Sequence, residues 1–225
     1  MSQTRAQLIS GSSSQNVSAS SVVLSGSTSG TTTLAAPAVA GSNTLVLPTG
    51  NGSSGQVLST NGSGALSWSN RPILQVVNTV KTDTFSTSST TFTDVTGLSA
   101  SITPSSASNK ILIIVHLGAF NATSITYTAA FRISRNGTAV GIGDAAGTRT
   151  RASFKIGSFN VDHALPGGFS FLDSPGSTSS LSYALQITMQ SPATGCINRN
   201  GSDADTSDAY AARTASTITL MEVAA

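Results

Sequence analysis

The sequence predicts an all-β protein, with an antiparallel sandwich head over residues 71–225 and an extended arm of short strands over residues 1–70. Three observations lead there. Composition breaks at a seam, Gly55-Gln-Val-Leu-Ser-Thr-Asn-Gly-Ser-Gly-Ala-Leu-Ser-Trp68. Up to Asn70 the only charged residue is Arg5 and the only aromatic is Trp68; all nine acids, ten of the eleven bases, both histidines and every Phe and Tyr follow it. Beyond the seam, short runs of alternating apolar residues recur with turn dipeptides between them. No stretch shows apolar residues at helical spacing.

The arm comes first. Ser, Thr, Gly and Asn dominate it, and such a composition cannot bury enough apolar surface to offset the entropy of ordering. Small aliphatic clusters nevertheless recur, at Val22 to Leu24, Leu34, Val39, Leu45 to Leu47, Val57-Leu58 and Leu66 with Trp68. Each is too short to form a core within one chain. Copies wound together could stack these clusters along an axis, with β-propensive Thr and Ser between them. Pro37, Gly41, Pro48, Asn51-Gly52 and Asn61-Gly62 separate the clusters, the last two favouring tight hairpins. The expectation is a thin, intertwined shaft; a flexible linker is the alternative.

The segment Leu45-Val-Leu-Pro-Thr-Gly-Asn-Gly-Ser-Ser-Gly-Gln-Val-Leu-Ser-Thr-Asn-Gly-Ser-Gly-Ala-Leu-Ser-Trp68 resembles one common in tail-fibre and other appendage proteins of tailed bacteriophages. Its form there is L-P-x-G followed by G-Q-V-L-x-T-(N/D)-G-x-G-x-L-x-W. In that setting it leads from a slender shaft to a distal domain. The resemblance covers some 24 residues and implies a virion component, located at a phage tail or capsid surface.

The head then reads as strands at Ile73 to Val80, Thr90 to Val95, a turn at Thr96-Gly97, and Leu98 to Thr103 closed by Pro104. Lys110 to Phe120 is the strongest strand, and its near-continuous apolar run predicts burial on both faces, the second against another subunit. Ile125 to Arg135 alternates and turns at Asn136-Gly137 into Thr138 to Ile142. Ser153 to Val161, Ala164 to Leu172, Ser180 to Gln190 and Ser216 to Val223 complete the set. This pattern and the closing strand resemble the trimeric jelly-roll heads of tumour-necrosis-factor type found at phage fibre tips. That likeness implies a homotrimer, as does the physics: strands apolar on both faces and a shaft lacking its own core both require partners.

Several chemistries are disfavoured. Charged residues make up 9% of the chain and the net charge is +2, against about 25% charged in a typical soluble protein. No Lys/Arg cluster exceeds the spaced pair Arg149 and Arg151, so nucleic acid is not an expected partner. The longest apolar run, Ile111 to Val115, falls far short of the roughly 18 residues of a membrane span, and Met1 to Ser10 lacks the apolar core of a secretory signal. No membrane partner is expected. The lone Cys196 excludes an intrachain disulfide and a cysteine metal site.

Catalysis is not expected. Asp162-His163 is the one adjacent acid and histidine, and no Gly-x-Ser-x-Gly elbow accompanies it. A single Glu and scattered Asp residues do not make the paired carboxylates of a glycosidase. The run Gly141 to Gly147 reads as a turn, because no helix pattern follows to receive a phosphate. His116 reads as a core or subunit-interface residue. Asp203, Asp205 and Asp208 form a loop cluster able to hold a hard cation such as calcium, although the spacing is not that of an EF-hand and solvated acids are the simpler reading. No organic cofactor is expected.

Polar loops carrying an aromatic are how rigid sandwiches usually bind. Asn198, Arg199, Asn200 and Tyr210, in the strand-poor stretch from Pro192 to Ala212, are therefore the expected receptor-facing residues, with a host surface glycan as ligand. Arg5, Leu8 and Ile9 are the expected virion-anchoring residues, docking on other structural proteins of the tail or capsid. The functional expectation is a trimeric fibre or spike whose head contacts the host. A capsid-bound head fibre or decoration protein is the first alternative, a carbohydrate-binding or carbohydrate-active module the second.

Overall fold

The computed structural model describes residues 21–39 and 41–225; Arg5, Leu8 and Ile9 lie outside the described residues. Among the described residues the regular structure is entirely β apart from a 3-10 turn at Ala209–Ala211. The chain divides within the seam into two compact units. One comprises Met1–Ser53 and Leu58–Trp68, the other Ser54–Val57 and Ser69–Ala225.

In the first unit β1 (Ser21–Ser25) and β2 (Thr31–Ala35) form an antiparallel hairpin in which Val22 faces Leu34. Among the described residues nothing covers it: Val22, Val23, Leu24 and Leu34 are 46% to 64% exposed. The seam folds into a second ribbon, β3 (Val57–Thr60) with β4 (Leu66–Ser69). Asn61-Gly62 lies in the connecting loop, where the Asn61 side-chain oxygen accepts the Ser63 amide at 2.9 Å, as asparagine commonly does in turns. The Asn51-Gly52 pair does not make the hairpin its sequence suggests. Gly52 instead seats the Trp68 ring, 2.6 Å from where a β-carbon would stand, and the indole N–H donates to the Gly50 carbonyl at 2.7 Å.

The second unit is a jelly roll. Its principal strands are β5 (Ile73–Lys81), β7 (Thr93–Ile102), β8 (Lys110–Ala122), β9 (Thr128–Arg135), β11 (Phe154–Gly157), β12 (Leu165–Asp173), β13 (Leu181–Met189) and β15 (Ser216–Val223). They pair as β5-β15-β8-β12 and β7-β13-β9-β11, every neighbour antiparallel. The chain thus passes between the sheets at nearly every connection, the double Greek key that defines this fold. Three short strands extend the edges: β6 (Phe85–Thr87) and β14 (Gly195–Ile197) beside β8, and β10 (Thr138–Val140) beside β9.

Alternation fixes what enters the core. Ile111, Ile113 and Leu117 of β8, Phe131 and Ile133 of β9, Leu185 and Ile187 of β13, and Ile218 and Leu220 of β15 are all fully buried between the sheets. Phe120 meets Phe131 edge-on at 5.3 Å, and Phe131 stacks on Phe154 at 4.8 Å. Such ring pairs add about 0.5–1.5 kcal/mol each beyond their area. The Asn136-Gly137 hairpin forms as its sequence requires: both residues have positive φ, 48° and 81°, and Arg135 pairs with Thr138.

Two expectations are corrected here. Thr96-Gly97 is not a turn between two strands but a bulge within the continuous β7, across which the pairing with β13 jumps from Ser99 to Asp94. Strand β9 begins only at Thr128, Ile125 to Tyr127 belonging to the preceding loop. Within one chain β8 is covered on one face, while Ile114 and His116 on the other, the face expected to meet another subunit, are exposed. The strand-poor stretch from Pro192 to Ala212 holds one short strand, β14, whose three residues are all buried.

Candidate functional site

The residues expected to face a receptor separate into two environments. Asn198 and Asn200 are 0% and 2% exposed, so neither can present its side chain to a ligand. Asn198 has a positive φ of 63° that turns the chain out of β14. Its amide nitrogen donates to the Lys81 and Asp83 carbonyls at 2.9 Å each, and its side-chain oxygen accepts the Ser216 hydroxyl at 2.6 Å. It therefore ties β5, β14 and β15 together. Asn200 donates to the Tyr210 carbonyl at 3.3 Å and accepts the Asp203 amide at 2.9 Å, closing the loop on itself. Only Tyr210, 41% exposed, stands at the surface among the four, because Arg199 is mostly covered and turned to Asp203.

The three loop acids do not gather. Asp203 accepts Arg213 at 2.6 Å and lies 3.6 Å from Arg199, while Asp208 accepts the Thr206 hydroxyl at 3.2 Å. Among the described residues no group of three His, Cys, Asp or Glu side chains converges for a metal ion. The calcium reading of Asp203, Asp205 and Asp208 is thereby corrected: two arginines already balance the carboxylate that would lead the site. Cys196 is buried in β14, and burial pushes its thiol pKa up, away from the reactive thiolate. Asp162 accepts the Ser202 hydroxyl at 2.7 Å rather than orienting His163.

The two outer faces of the sandwich differ sharply. On the β7-β13-β9 sheet, Gln186 bridges a cross-strand row, accepting Arg132 at 2.7 Å and donating to Asp94 at 2.8 Å. The Arg132 guanidinium also lies 4.0 Å over the Phe92 ring. These polar groups satisfy one another. The β5-β15-β8-β12 sheet instead presents rows of uncharged side chains: Val76, Met221, Leu112 and Leu172, then Asn78, Thr219, Ile114 and Ser170, then Val80, Thr217, His116 and Gly168. Val76 and Val80 are 55% and 54% exposed and Leu172 is 45% exposed. Exposed apolar patches of this kind are where protein surfaces commonly meet partners. Sequence reasoning foresaw its apolar character on β8 but not the register that aligns it across four strands.

A cleft of about 540 Å³ lies over the other end of the second sheet, lined by side chains of β9, β11 and β13 and by the Gly143 to Ala152 loop. In the sequence Gly141 to Gly147 reads as a turn, and Arg149 and Arg151 stand out only as a pair too small for nucleic acid.

No protein-family model and no curated protein matches the chain. Among solved structures, it is similar to infectious bursal virus derived T=1 particles, at 14% identity and a TM-score of 0.37, over 71% of this chain and 39% of that one. The infectious bursal disease virus VP2 subviral particle is similar at 15% identity and a TM-score of 0.35, over 67% of this chain and 37% of that one. The infectious bursal disease virus Gx strain structure gives 15% and 0.37, over 71% and 39%. The chain thus spans less than two fifths of each of these three structures.

Proposed function

We propose that this chain is a structural virion protein, a homotrimeric fibre of a tailed phage whose arm fastens to the particle and whose jelly-roll head meets the host surface. The observation that carries the reading is apolar surface left uncovered in both units of a single chain. The β1-β2 ribbon has no core, and an isolated two-stranded hairpin is marginal in water. The β5-β15-β8-β12 face has no charged group in its three central rows. Two further copies of the chain are the occupants that answer both deficits at once, because winding three arms together holds three heads side by side. The seam segment, with its resemblance to phage appendage proteins, supports the virion setting. The head's exposed loops suit adhesion through several weak sites acting together.

Light scattering on the purified chain tests the assembly: a mass three times 22.6 kDa is expected, and a monomer at micromolar concentration refutes it. Cross-linking the Met1 to Ser10 segment in intact particles and identifying its neighbour by mass spectrometry tests the setting. A tail protein is expected; a shell protein would move the fibre to the capsid.

A further inference from the structure

We infer that the cleft between the Gly143 to Ala152 loop and the outer face of β9, β11 and β13 binds an acidic polysaccharide, its carboxylates held by Arg149, Arg151 and Lys155. Charge is scarce in this protein, yet three of the ten head cations line one cleft with a single acid, Asp144. Four of the other seven head cations are matched: Lys81 pairs with Asp83, Arg135 with Asp173, and Arg199 and Arg213 with Asp203. Among the described residues no carboxylate pairs with Arg149, Arg151 or Lys155, and all three are exposed.

Two of them are braced. Arg151 donates through Nε to the Gly143 carbonyl at 2.7 Å, and Arg149 through Nη1 to the Ala146 carbonyl at 3.3 Å. Anchored at Nε, Arg151 keeps both terminal amino groups for a carboxylate, the two-pronged geometry that guanidinium favours. Lys155 stands in cross-strand register with Ala130, which is in turn opposite Thr188, so the floor beside it is small and hydroxylated. Thr90, Thr150 and Gln190 add further hydroxyl and amide groups to the lining. That mixture matches a polyhydroxylated anion better than a bare one.

A second cleft, about 370 Å³, shares Thr128 and Lys155 with the first and brings in Tyr127 and Phe159. Phe159 is 79% exposed, an unusual position for a phenyl ring without a ligand, since a ring in water loses the burial that normally holds it. At the same site Thr126 has a φ of 68°, a left-handed conformation rare for a β-branched residue, fixed by its amide bond to the Ser158 carbonyl at 2.8 Å. The cationic cleft and the aromatic platform together accommodate consecutive sugars, one carboxylate on the arginines and one ring face on Phe159. A nucleic acid fits less well, because its binding usually rests on some 6–10 phosphate contacts and only three cations are present.

The inference rests on the reading of the head as the host-contacting part, and it specifies the ligand. Its test is calorimetric titration of the full-length protein with polygalacturonate and with colominic acid, beside neutral dextran and single-stranded DNA. Both acidic polymers are expected to bind, with affinity falling as salt is raised, and dextran is not. Arg149→Gln combined with Lys155→Gln should weaken binding at least about tenfold, as loss of charge-assisted bonds worth some 1.5–3 kcal/mol requires. Phe159→Ser should weaken it without changing the salt dependence. Failure of both polymers to bind, native affinity in the double variant, or DNA binding as tightly as the sugars overturns the proposal. A failed titration leaves the trimer mass and the particle cross-link standing, so the two readings fail separately.

Discussion

Buried polar residues, rather than the core aliphatics, hold the most specific positions in the head. Asn198 satisfies three partners, on β5, on the connection from β5 to β6 and on β15, while being wholly buried. Replacing it by Ala leaves those groups without water or partner, and buried unsatisfied groups cost about 1–3 kcal/mol each. Asn198→Ala should therefore lower stability by at least about 2 kcal/mol and the melting temperature by roughly 4–8 °C, read by scanning calorimetry. A surface receptor contact would show neither loss. Glu222 is the second such residue, 1% exposed with no cation beside it. Burial pushes its pKa up, but bonds from Asn109 at 2.6 Å, Gln75 at 2.6 Å and the Ser105 amide and hydroxyl at 2.7 Å outweigh this, and the net shift is downward. A depressed carboxyl pKa contributes stability that is complete above the unfolded value, about 4.3, and lost as pH falls through the lower folded value. Urea midpoints of the native chain should thus drop on acidification below about pH 4, whereas Glu222→Gln should be weaker at neutral pH and lose part of that acid slope.

Strands make their own demands. The bulge in β7 places Gly97 at a φ of 82°, and a β-carbon there would meet Lys81 Nζ at 3.5 Å, an ordinary contact. Space is available, so the cost of a side chain is the backbone's alone. Gly97→Ala should lose roughly 1–2 kcal/mol, the penalty for an L-residue in the left-handed region, and the loss should be visible in denaturant unfolding with the slope unchanged. Elements also show what the sequence could reveal. β5, β8 and β15 were legible because each holds its alternation or apolar run for eight residues or more, and the Asn136-Gly137 hairpin because its turn dipeptide permits one geometry. β6 and β14 were not, since three residues each carry no measurable period. The Thr96-Gly97 dipeptide misled for a physical reason: a positive φ serves a bulge as well as a turn, and only the partner strand selects between them.

At the scale of the molecule, two uncovered apolar surfaces require one explanation. Ile114 sits in the middle row of the exposed sheet face, opposite Thr219 on one side and Ser170 on the other. A carboxylate there would be buried unpaired at a subunit interface but harmless on a free surface. Ile114→Asp should therefore shift the protein from trimer to monomer by light scattering while the head keeps its strand signal in circular dichroism; an unaltered mass would remove this face from the interface. The candidate site was legible only in its kind. Sequence favoured polar loops with an aromatic, and chose the stretch with the most Asn and Asp; folding drew Asn198 and Asn200 inward and left Arg149, Arg151, Lys155 and Phe159 outside.

By itself the sequence determined the material: which stretch lacks a core, where the seam lies, that strands of period two fill the rest and that the Asn136-Gly137 hairpin closes. These depend on neighbours a few residues apart, and local sterics and solvation settle them. Tertiary structure alone decided the jelly-roll order, the one-sided burial of β8, the seats of Asn198 and Glu222 and the gathering of three cations from a loop and β11. Each of those joins positions far apart along the chain, and whether a side chain meets water, a partner or a charge depends on which strands become neighbours.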